Sequence, residues 1–156
     1  MTAFRSAIGR AVIAALLASP VAAAHSEYLI TQADPDVLLD VAKGFGSATM
    51  DKDNSGDPMI SGRMQGLKYV IYFYGCKEAL NCRSFQFATG YTDAWTMEKA
   101  NEWNAKYRWI RAYEKDGSNF RMDVALQGGV SRRYVEEQFS TWESFVEDIK
   151  SAATAQ

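Results

Sequence analysis

The sequence contains a single histidine, His25, and only two cysteines and three prolines among 156 residues. No apolar run approaches the ~20 residues that a membrane-spanning helix needs. Each scarcity excludes a class of function. A Ser–His or Cys–His catalytic pair requires an imidazole within the folded body, and the one histidine stands next to the N-terminal segment. Two thiols and one imidazole are too few for a structural zinc site. Gly128-Gly129 supplies two adjacent glycines, but without the lysine and spacing of a phosphate loop. No internal repeat or low-complexity tract is present. Hydrophobic residues make up 47% and charged residues 23%, the balance of a folded globular chain.

The first 24 residues read as a targeting segment. Arg5 and Arg10 precede or open an apolar run from Ala11 to Leu17, and small residues follow through Ala22-Ala23-Ala24. That order is the one of a secretory signal peptide, with cleavage expected between Ala24 and His25. No cysteine at the junction offers a site for a lipid. Residues 25–156 are then a single domain. Removing residues 1–24 takes away two arginines and no acid, so the net charge falls from −2 to −4. A mildly acidic domain has no overall electrostatic footprint for nucleic acid or an anionic membrane. A new N-terminal His25 would bring an amine and an imidazole together, but a full copper brace needs a second histidine. The expected location is periplasmic or secreted, with no stable membrane insertion after cleavage. In such an oxidising compartment Cys76 and Cys82, five residues apart in "YGCKEALNC", form a disulfide.

The remaining pattern predicts an α+β domain, an antiparallel sheet with helices packed on one face, in the order α-β-β-β-α-β-β-α with three or four strands in the first run. Asp34-Pro35 opens a helix carrying Leu38, Val41, Ala42 and Phe45 at helical spacing. Residues 47–53 and 58–63 read as short strands, and 66–75 and 82–91 as strong ones. Thr96 caps a second helix with Met97, Ala100, Trp103 and Tyr107 along one side. Residues 108–114 and 119–126 form a strand pair around the turn Asp116-Gly117. Ser131 caps the last helix, whose stripe runs Val135, Phe139, Trp142, Val146, Ile149. Glu136-Glu137 and Glu143-Glu147 fall on its solvated side, so paired-carboxylate catalysis has no support there, and no enzyme activity is expected.

Disulfide geometry fixes the hairpin register. If Cys76 faces Cys82, Tyr74 faces Ser84, Tyr72 faces Gln86 and Val70 faces Ala88 on the disulfide side. Phe73 with Phe85 and Ile71 with Phe87 then occupy the other, apolar side. Tyr72, Tyr74 and Gln86 make a tyrosine-rich face that reads either as a partner-binding surface or as an ordinary solvated sheet face.

"DKDNSGDPMISG", residues 51–62, resembles a calcium loop. Asp51, Asp53 and Ser55 fill positions one, three and five, Gly56 fills six and Asp57 seven. Pro58 then stands where an apolar pairing residue belongs, and Gly62 where the bidentate glutamate belongs. The same residues form a dense turn signal between two strands. The turn reading is preferred, with no metal or cofactor expected.

"YFYGCKEALNCRSFQFATGY", "EKANEWNAKYRWIRAY", "MDVALQGGVS" and "TWESF" together resemble the bacterial YbjN-domain proteins. The resemblance runs from about residue 29 to 149. Its most specific pieces are Asn101, Trp103 and Asn104 with Arg111-Ala112-Tyr113, then Met122-Asp123 leading to Gly128-Gly129-Val130, and the "GDPMI" turn at 56–60. It implies a sensory-transduction regulator with a fold similar to type III secretion chaperones, which bind protein segments and often dimerise. The partner would be another protein or a second copy of the chain. It brings no catalytic residue. Asn101 and Asn104 read either as polar ligand contacts or as structural bridges to nearby strands, with Trp103 as an anchor. The export signal departs from many members, which are cytoplasmic. The alternative function is a periplasmic small-ligand or metal-ion sensor, using the 51–57 loop or the Asn/Trp helix.

Overall fold

A computed structural model describes residues 28–93 and 95–154, so the predicted signal segment, Ala24 and His25 lie outside the described residues. The elements in order are α1 (Pro35–Gly44), β1 (Ser47–Lys52), β2 (Pro58–Met64), β3 (Leu67–Tyr74), β4 (Ser84–Tyr91), α2 (Met97–Lys106), β5 (Arg111–Glu114), β6 (Ser118–Ala125), α3 (Arg132–Ser144) and α4 (Val146–Thr154). All strands pair antiparallel in one sheet of order β1-β2-β3-β4-β6-β5. The fold is α+β.

The first run has four strands, within the three or four expected and in the stretches expected, although β1 is an almost wholly exposed outer strand with little apolar alternation. One detail departs from the predicted order. The last helix is two helices. The Ser144 hydroxyl donates to the Thr141 carbonyl at 2.7 Å, and the Phe145 N–H turns to Trp142 and Glu143 instead. A hydroxyl that takes a helical carbonyl in this way bends or interrupts the ladder. The apolar stripe survives the break: Val135, Phe139, Trp142, Val146 and Ile149 are all fully buried.

The first three helices each start where their cap stands. Asp34 accepts from the Asp36 N–H at 2.9 Å, Thr96 from Lys99 at 3.2 Å and Ser131 from Tyr134 at 3.1 Å. These bonds satisfy N–H groups that the first turn leaves open. On α2 the buried stripe begins only at Ala100. Met97, the first helical residue, is exposed, because it precedes the turn that meets the sheet. β5 starts at Arg111 rather than 108, and Trp109 in the connection is exposed.

One face of the sheet carries the core. Phe87 on β4 is its centre, stacked on Trp142 at 5.3 Å and edge-on to Phe139 at 4.8 Å. Trp95, Trp103 and Phe120 form an adjoining aromatic group. All four helices contribute to this side or pack against it. Burying one such ring contributes about 1.5–3 kcal/mol, so the sheet is held chiefly from this side. The opposite face alternates in step: along β3, residues 67, 69, 71 and 73 are buried while 68, 70, 72 and 74 are partly or fully exposed. The chain before α1 also crosses the strand ends. Ile30 pairs with Val130 and Ala33 with Cys82, each through an N–H···O bond of 2.7 Å. Gly129, at φ +83°, lets this strap pass, since a side chain there would press on Leu29 and Thr31.

Candidate functional site: the outer face of the sheet

The β3–β4 hairpin has the register that the cysteine spacing implies. Tyr74 opposes Ser84, Phe73 Phe85, Tyr72 Gln86, Ile71 Phe87 and Val70 Ala88. Cys76 and Cys82 are joined, with Cα atoms 3.8 Å apart. Tyr72, Tyr74 and Gln86 therefore share the outer face, turned away from the aromatic core.

Those three side chains are joined there by residues from β5 and β6. The register places Gln86 opposite Asp123 and Arg121 opposite Arg111. Gln86, only 7% exposed, accepts from the Tyr74 hydroxyl at 3.3 Å and donates its amide to Asp123. The second carboxylate oxygen of Asp123 meets Arg111 at 2.7 Å. Arg121 donates Nε to the Tyr113 hydroxyl at 3.0 Å and lies 5.5 Å over the Tyr72 ring. Seven side chains from four strands thus form one aromatic and polar surface. Burial pushes the Tyr74 phenol above its ordinary range, while the nearby Arg121 charge pulls it down. The phenol therefore stays a neutral donor to Gln86 at physiological pH. The Arg111–Asp123 pair is half exposed on both sides, so it orients the surface more than it stabilises the fold.

Arg121 has no place among the residues singled out by sequence. Its place beside Tyr72 depends on β6 lying next to β4, a pairing that spans the whole of α2 and β5. Arg111, Tyr113 and Asp123 fall in the stretches that carried the family resemblance, and the sheet brings them next to the tyrosine face.

The other singled-out residues lie elsewhere. Asn104 is spent on backbone: its amide donates to the Ala112 carbonyl at 2.9 Å, and its oxygen accepts from the Ala112 N–H at 2.8 Å. Trp103 is buried and donates to the Ile110 carbonyl at 2.8 Å. Both hold α2 against β5, and Asn101 is exposed on the same helix. Gly128 and Gly129 take positive φ values of 84° and 83° before α3. The 53–57 segment is a hairpin turn. One Asp53 oxygen accepts from the Ser55 and Asp57 N–H groups at 2.8 and 3.0 Å, and Asp51 accepts from Lys52. Glu136 and Glu137 pair with Arg132 and Arg133 one turn earlier on α3.

Residues 34–154 match the model of the YbjN family, described as "Putative bacterial sensory transduction regulator". The chain belongs to the YbjN family. Within that YbjN match lie the six strands and four helices of the described residues, and so the entire outer face. No curated protein matches the chain. Among the described residues of this YbjN domain, no helix is long and apolar enough to cross a membrane.

Proposed function

We propose that this YbjN protein is an exported, non-enzymatic regulatory module that binds a protein segment on the outer face of its sheet, in the manner of a chaperone. One observation carries the reading. Two contact groups, Tyr74–Gln86–Asp123–Arg111 and Tyr72–Arg121–Tyr113, lie side by side on the outer face of the sheet, opposite the helices that pack on the core side. Tyrosine and arginine are the residue types that concentrate binding energy at interfaces, because each presents area and directional polarity together. The family description, a regulator, agrees with a role exerted through contact. Export is supported by the Arg5-to-Ala24 pattern and by the use of both cysteines in one disulfide.

The test is crosslinking in intact cells, with a photo-reactive residue replacing Tyr72 and mass spectrometry of the product. A discrete adduct is expected, to another protein or to a second copy. Absence of any adduct from both Tyr72 and Tyr74 probes, in protein that reaches its normal level, would remove the binding role.

A further inference from the structure

The outer face also bears an arrangement of charge that works against folding. Arg63 on β2 is the direct cross-strand partner of Lys68 on β3. Arg111 on β5 is the direct partner of Arg121 on β6. Like charges placed opposite each other destabilise a sheet. Among the described residues, only Arg111 of these four is neutralised, by Asp123. Between the two cationic pairs runs β4, whose residues at this level are Ala88 and Gly90. Their small size leaves a depression of about 300 Å³, floored by Val70 and Ala88 and walled by Lys68, Tyr72, Asn119 and Arg121. No carboxylate of the described residues lines it. The Arg121 guanidinium uses Nε on Tyr113, and its Nη groups have no hydrogen-bond partner among the described residues.

We propose that this depression is a carboxylate-binding site, and that its occupant is an acidic side chain from an extended, acidic segment of the partner protein. The inference rests on the binding role proposed above and gives that role its chemistry. Arg121 is held in place by Tyr113 on one side and the Tyr72 ring on the other, which presents its free edge for a paired hydrogen bond to a carboxylate. Lys68 supplies a second positive charge across the depression. Asn119 lies on the same wall, and Val70 with Ala88 accommodates an aliphatic stem. A nucleic acid is the poorer occupant. The chain as a whole is negative, and a phosphate backbone is gripped by many cations rather than four.

The experiment is fluorescence anisotropy of residues 25–156 with a labelled, terminally blocked ten-residue peptide alternating glutamate and threonine. Its counterpart carries glutamine in place of glutamate, and a ten-nucleotide thymidine strand is the third probe. The glutamate peptide is expected to bind at least about tenfold more tightly than the glutamine peptide, and to weaken as salt rises. Arg121→Gln and Lys68→Gln, each with a melting temperature no lower than that of the parent, are expected to remove most of that preference. Equal binding of both peptides, or undiminished preference in both variants, would overturn the carboxylate site. So would the absence of glutamate-peptide binding, or tighter binding of the thymidine strand. The Tyr72 crosslink separates the two failures, because an adduct in cells together with any of these results removes the carboxylate chemistry and leaves the docking role.

Discussion

At the scale of single residues, the core contains one phenol that the fold would do as well without. Tyr69 is 2% exposed, and its hydroxyl has no hydrogen-bond partner among the described residues. The ring lies over Gly62, where a Cβ would fall 2.5 Å from Tyr69 Cζ. Burial raises its pKa from 10.0 to about 12. The folded state therefore holds this proton more tightly than the unfolded chain. Stability from that difference is whole below pH 10 and is lost as pH rises toward 12. Tyr69→Phe removes both the orphan hydroxyl and the titration. It is expected to be neutral or stabilising by up to about 1 kcal/mol at pH 7. Its advantage over the wild type should widen between pH 10 and pH 12, measured by urea unfolding at each pH. Side-chain facing was legible in the sequence wherever a local constraint fixed it. Cys76 and Cys82 set the partners of Tyr72 and Tyr74, because the two strands are joined by a short loop. Arg121 faces Tyr72 through two strand pairings, one of them between strands separated by 26 residues of chain, and no local signal encodes that.

At the scale of elements, α2 does two things at once. Trp103 enters the core, and Asn104 bonds both backbone groups of Ala112 on the outermost strand β5. In Asn104→Ala, the Ala112 N–H and C=O lose both partners at a nearly buried position. The expected loss is about 2 kcal/mol, read from chemical denaturation. Asn104→Asp should recover only half of the pair, since a carboxylate accepts from the N–H but cannot donate to the carbonyl. The three cap residues Asp34, Thr96 and Ser131 were readable in sequence because a cap acts on its own first turn. The division between α3 and α4 was not, because Ser144 and Thr141 interrupt the helix without disturbing the apolar stripe on its other side.

At the scale of the whole molecule, the disulfide fastens more than a hairpin. Cys82 is fully buried, and its carbonyl receives the Ala33 N–H, so the same residue anchors the strap that leads into α1. Reduction is expected to lower stability by about 2 kcal/mol, from the unfolded-state entropy of so short a loop. Amide exchange at Ala33 and Ile30 should speed up on reduction, while that of Phe87 at the centre follows global unfolding only. Mass spectrometry of exchange with and without reductant checks both. The α+β class was legible from the alternation of strand and helix patterns. The convergence of two separate residue sets on one face was not, because it depends on the order in which the strands lie side by side.

That order has a consequence for growth. A sheet has two lateral ends, and here they are unlike: at β5 Asn104 takes both backbone groups of Ala112, whereas on its outer edge β1 makes no backbone–backbone hydrogen bond among the described residues. In the language of polymer chemistry, a subunit that adds strands only at β1 would be a monofunctional monomer. If two copies add strand to strand, β1 to β1, both reactive ends are consumed and the product is terminated at two. A subunit open at both ends would be bifunctional, and nothing would stop its chain from lengthening.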